Sequence, residues 1–168
     1  MPDEPPVSRE SKLLLTSLNG QREHVLGALE GLSDEALRRP VLPTGWTCLG
    51  LVHHLALDVE EWWFRRIVAG EQPGQEDSQE SAWQVPATMP AEAVLALYRE
   101  QVERANAIIA ATPLDAPPAW WPEDLWPSWR LDDLREIILH VITETATHAG
   151  HLDAVRELID GQTWLILT

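Results

Sequence analysis

The sequence predicts an all-α protein built as a four-helix bundle. Apolar residues recur at three- and four-residue spacing in four long stretches, no segment of useful length alternates apolar with polar residues, and glycine or proline punctuates the chain between the stretches. With 168 residues there is sequence for one core of ordinary size, so the expectation is a single domain over residues 1–168.

The first helix is expected from about Ser8 to Leu32, where Leu13, Leu14, Leu18, Val25, Leu26 and Leu29 follow helical spacing and Gly31 supplies a stop. Residues 33–39 suit one further short turn before Pro40, Pro43 and Gly45 break the chain. Thr47 is placed to cap a second helix that runs to Gly70 and carries His53 and His54. The acidic, Gln- and Ser-rich stretch over 71–82 reads as an exposed connection. A third helix follows Pro90, with Val94, Leu95, Tyr98, Val102, Ile108 and Ile109 as its apolar positions. Residues 112–129 are dense in proline and carry Trp120, Trp121, Trp126 and Trp129, which points to an irregular but packed cover over one end of the bundle. The last helix is expected over about Leu131 to Asp160, with Asp132 and Asp133 in its first turn and Gly161 as its stop; a short apolar tail follows, able to pack on the bundle or against a neighbouring chain.

Composition excludes several classes of function. At 45% hydrophobic and 23% charged the chain has the balance of a globular protein. A formal net charge of -15 repels phosphate backbones and anionic membrane surfaces, so neither nucleic acid nor a membrane is an expected partner. The N-terminal dozen residues lack the basic-then-apolar order of a signal peptide, and no run approaches a membrane span. Cys48, the one cysteine, cannot close an intrachain disulfide or build a thiolate cage, which fits a reducing, cytoplasmic setting. Nine tryptophans against one tyrosine and one phenylalanine imply a packed aromatic interior or a lined pocket.

Titratable residues concentrate on the second and last helices. On the last, Leu134, Ile138, Val141, Leu152, Val155 and Ile159 form an apolar stripe that contains His148, with Glu144 one turn earlier on its edge. A carboxylate and an imidazole so spaced can reach one ion together, and an ionised glutamate beside an apolar stripe needs a partner. Spacing alone also fits a half-buried histidine beside a partly exposed glutamate, with His140 and His151 at the surface. On the second helix a narrow polar sector holds His54, Asp58, Glu61 and Arg65. Either this sector faces water, or its His54 end turns inward to a site that Asp58 steadies from outside. His53 projects among Leu49, Phe64 and Ile67 and reads as structural.

The run GWTCLGLVHHLALDVEEWW, followed much later by ETATHAGHLDAVRELIDG, resembles the DinB/YfiT superfamily of metalloenzymes, and the likeness extends in element order over nearly the whole chain. That resemblance implies an up-down-down-up four-helix bundle, often a homodimer, holding a divalent metal on three side chains. The first family ligand matches His54, directly before Leu55, and the last matches His148. Position 144 is commonly histidine in the superfamily but is Glu144 here, which is similar to the His, Glu, His set of relatives of mycothiol-dependent maleylpyruvate isomerase. His151 stands where many members carry Gln, which makes it an outer-shell residue or alternate ligand.

Two imidazoles and a carboxylate suit zinc or nickel, and also iron or manganese. The resemblance implies a transferase or isomerase acting on a small-molecule substrate with a low-molecular-weight thiol such as mycothiol, bacillithiol or glutathione, the Trp-rich segment covering the electrophile. His151 and Asp58 are the candidates for a separate general base. The competing readings are a non-catalytic bundle that binds an apolar ligand or partner protein, and a metal-dependent hydrolase.

Overall fold

A computed structural model of the chain describes residues 8–71 and 82–164. Among these residues the protein is all-helical, with no strand. Helix α1 spans Arg9–Leu29, α2 Asp34–Arg38, α3 Cys48–His54, α4 Ala91–Ala111 and α5 Leu134–Asp160; a π-helical segment, Leu55–Val68, continues α3 without a break. The expected stretch over 71–82 and the apolar tail lie mostly outside the described residues.

Local chemistry sets most of these boundaries. The Ser8 side chain accepts from Ser11 N–H to start α1, Ser33 accepts from Ala36 N–H to start α2, and Thr47 accepts from Gly50 N–H to start α3. Gly161, at φ 77°, takes the left-handed conformation that ends α5. The start of α5 differs from expectation. Asp133 is the cap itself, accepting from Glu136 N–H, and Asp132 precedes it, so neither lies in the first turn. Leu13 also departs from its expected core position, at 58% exposure on the outer face of α1.

The π-helical winding was not legible from a 3.6-residue projection. Its buried residues fall at Leu55 and Ala56, Val59 and Glu60, Trp63 and Phe64, and Ile67 and Val68, a repeat of four. An α-helix rotates about 40° past a full turn every four residues, so this face would wander by about 120° over three repeats. Loosening the turn towards i→i+5 bonding reduces that drift and keeps the eight residues on one side. Such winding is rare and usually confined to one turn, often at functional sites.

Helix α1 packs chiefly on α5, and the π-helical segment chiefly on α4. Arg156 of α5 donates to the carbonyls of Ala28 and Glu30, satisfying acceptors that the end of α1 leaves open. Residues 112–133 serve two helix ends at once: Ala119 and Trp120 N–H donate to Val68 and Ile67 carbonyls, while Leu134 and Arg135 N–H donate back to Ala116 and Leu114. The expectation that this aromatic stretch packs over an end of the helices holds.

In the middle of the core a charged pair crosses from α1 to the π-helical segment. Arg22 grips Glu60 with two bonds, Nε to Oε1 at 2.7 Å and Nη2 to Oε2 at 2.5 Å, and its remaining nitrogen reaches Asn19 and Asn106 at 2.8 Å each. Both partners are buried, and replacing one leaves the other charged in a low-dielectric interior. Glu60→Ala is therefore expected to destabilise the fold by about 3–5 kcal/mol in denaturant titration, whereas a double replacement by apolar residues of matching volume costs much less.

Candidate metal centre

Where α3 passes into the π-helical segment, His54 turns its imidazole towards α5. Its Nδ1 sits 2.9 Å from Asp58 Oδ2, one turn along, and Asp58 is about half exposed. A carboxylate at Nδ1 fixes the tautomer with the proton on that nitrogen, so Nε2 presents its lone pair. That Nε2 is buried and has no hydrogen-bond partner, an arrangement that costs free energy in a protein interior unless something accepts the lone pair.

The facing residues on α5 are Glu144 and His148. Glu144 Oε1 lies 3.9 Å from His54 Nε2 and 3.1 Å from His148 Nε2. Donor atoms of His54, Glu144 and His148 all lie within 4.8 Å of one another, and this is the one such group among the described residues. Two imidazoles and a carboxylate converging on a point, with His54 Nε2 and His148 Nδ1 both buried and without a hydrogen-bond partner, fit the donor set of a transition-metal ion. Of the two accounts open for the polar sector of the second helix, the inward one describes His54 and Asp58. Glu61 and Arg65 pair with each other and with neighbours instead.

Burial also favours the neutral form of two α5 imidazoles. His148 is held below its ordinary pKa of 6.5 by burial, opposed by Glu144 and reinforced by His54; His140 is lowered by burial too, again opposed by Glu144. Both rings therefore stay neutral near pH 7. His151 is exposed on the rim, its ring 5.5 Å from that of His148, with no hydrogen-bond partner among the described residues. Asp58, the other candidate base, is engaged by His54 Nδ1. His53 is structural, as expected: it is buried, with Nδ1 2.7 Å from the Ala82 carbonyl.

The aromatic surroundings differ from expectation. The indoles against the centre are Trp83, whose ring lies 4.2 Å from that of His54, and Trp46, 6.3 Å from His151. The Trp-rich segment instead gathers around Trp63: Trp126 stacks on it at 5.5 Å, Trp121 and Trp129 lie about as close, and His140 meets its edge at 4.5 Å. This cluster adjoins the centre through His140, one turn before Glu144. Trp83 and Trp46 stand apart from the tryptophan-dense run, and no periodicity ties them to His54.

Over residues 13–161 the chain matches the mycothiol-S-transferase family. The chain belongs to that family. No curated protein matches it. The match covers both helices that carry the centre, and it agrees with the DinB-like resemblance of the sequence. Among the described residues no helix is long and apolar enough to cross a membrane.

Two measurements follow from this geometry. Asp58→Ala is expected to weaken transition-metal binding by about 10- to 100-fold with little change in melting temperature, measured by competition with a chromogenic chelator. The metal-free protein is expected to lose stability as pH falls. The unfolded chain protonates its histidines near 6.5, while folded His140 and His148 resist, so stability is full above that value and declines until the folded pKa is passed. Glutamine at both positions is expected to flatten the dependence of melting temperature between pH 5 and 7.

Proposed function

We propose that the protein transfers the sulfur of a low-molecular-weight thiol, mycothiol by family, to an electrophilic small molecule at the centre formed by His54, Glu144 and His148. The observation that carries this reading is the convergence of three donors from two helices around a buried His54 Nε2 that has no other partner. The three side chains would hold the ion, zinc or nickel by donor type, and three protein ligands leave a position for the thiol. A divalent ion so held lowers the pKa of a thiol beside it.

The rest of the chemistry is assigned to the chain's own residues. Cys48 is not the nucleophile: burial pushes its thiol up to about 11, so the reacting sulfur comes from outside. His151, exposed beside His148, takes the thiol proton and passes it to solvent. The sulfur then forms a bond to the electrophilic carbon, and the leaving group departs with the electrons of the bond it breaks. Asp58 keeps His54 in one tautomer throughout. The tryptophans around Trp63, reached past His140, receive the apolar body of the electrophile while Trp46 and Trp83 wall the opposite side.

Purified protein is expected to carry about one equivalent of transition metal per chain and to form a thioether from mycothiol and a chromogenic aryl halide. His54→Ala or His148→Ala is expected to lower kcat/KM on the order of 100-fold or more, and His151→Gln to shift the pH profile more than KM. Product formed equally well without thiol would point to hydrolysis instead. A protein that loads metal yet never consumes thiol would refute the transfer.

A further inference from the structure

We propose that Trp83 is a positioning residue for the metal centre, setting the plane of the His54 ring as Asp58 sets its edge. The indole and imidazole rings are 4.2 Å apart between centroids and only 17° from parallel, and the same indole lies 5.7 Å from the His148 ring. The hydrogen bond that Nδ1–H donates to Asp58 leaves the ring free to tilt about the axis of that bond. A flat indole on its face removes that freedom, so the direction of the Nε2 lone pair is fixed from two sides.

Helix α3 builds a seat for this indole. Gly50, His53 and His54 share one face at i, i+3 and i+4. A side chain at Gly50 would collide with the Trp83 carbonyl oxygen, so glycine is what lets the backbone of residue 83 lie against the helix. His53 Nδ1, 2.7 Å from the Ala82 carbonyl, pins the preceding residue. One histidine thus anchors the loop while its neighbour receives the indole that the loop carries. The Ala82 carbonyl is the acceptor, so His53 holds its proton on Nδ1.

The stacking also favours the loaded state. An imidazole coordinated to a divalent ion gives up electron density and becomes partly cationic, and the electron-rich indole face attracts such a ring more than it attracts a neutral one. Trp83 therefore raises affinity for the ion and excludes water from one side of Nε2. This inference rests on the metal reading above.

Titration of the metal-free protein with cobalt(II), followed by its visible absorption, separates the two claims. Trp83→Leu is expected to weaken cobalt binding on the order of tenfold and to shift the visible bands, and Trp83→Phe, which keeps a stacking ring, to recover most of both. Gly50→Ala, which pushes the loop outward without touching a ligand, is expected to act in the same direction and carries the comparison together with Trp83→Phe if the leucine variant does not fold. Trp164→Leu, which removes an indole stacked on His24 of α1, is expected to leave cobalt binding unchanged. Native affinity and an unshifted spectrum in folded Trp83→Leu and Gly50→Ala would overturn the role of Trp83 while leaving the metal reading intact. No cobalt bound by the native chain would remove the metal reading and this role with it.

Discussion

The site depends on buried imidazole nitrogens that lack partners, His54 Nε2 foremost and His148 Nδ1 beside it. His54 Nε2 faces the interior because Asp58 occupies the other nitrogen, and it meets a carboxylate and an imidazole delivered by a helix that begins eighty residues later in the chain. Leaving such an atom unsatisfied is unfavourable, so the fold carries a local cost that an ion would relieve. Around that atom stand the Asp58 carboxylate at the other nitrogen, the Trp83 indole across the imidazole face, and Glu144 and His148 of α5 opposite.

Bringing those groups together is the work of the core. Helix α1 is bound to α5 through Arg156 and to the π-helical segment through Arg22 and Glu60. The two helices that carry the donors are thus each tied to α1 by a buried arginine. The winding change after His54 has a parallel effect. It begins at the residue following His54, so α3 keeps ordinary i+4 spacing where Gly50, His53 and His54 share a face, and the wider turn starts only beyond them. Residues 112–133 then close the far end, capping the π-helical segment and α5 together and leaving the tryptophan cluster against His140, one turn before Glu144.

Much of this was legible in the sequence, and the failures have physical reasons. Helical spacing, Thr47 and Gly161 located the long helices because caps and periodicity are local. His148 inside an apolar stripe with Glu144 a turn away was visible on the same ground. The inward turn of His54 was not decidable from spacing, since a polar sector faces water as readily as a site; it became visible only in the orientation of the ring towards Glu144 on α5. Glu60 and Arg22 were missed because each looks like an ordinary surface charge until the partner from another helix is known. Trp83 was missed because a loop residue has no period, although Gly50 in the first turn of a helix was a signal that something packs closely there. The π-helical winding escaped because a 3.6-residue projection was imposed on a stretch whose buried residues repeat every four.

The most direct test of a shared three-donor centre is an anomalous-difference map from crystals of the metal-loaded protein, collected at the absorption edge of the ion. The account requires one strong peak per chain at about 2.0–2.2 Å from His54 Nε2, a Glu144 oxygen and a ring nitrogen of His148. A peak elsewhere, or one that contacts α5 while the ring of His54 swings away from it, would contradict it.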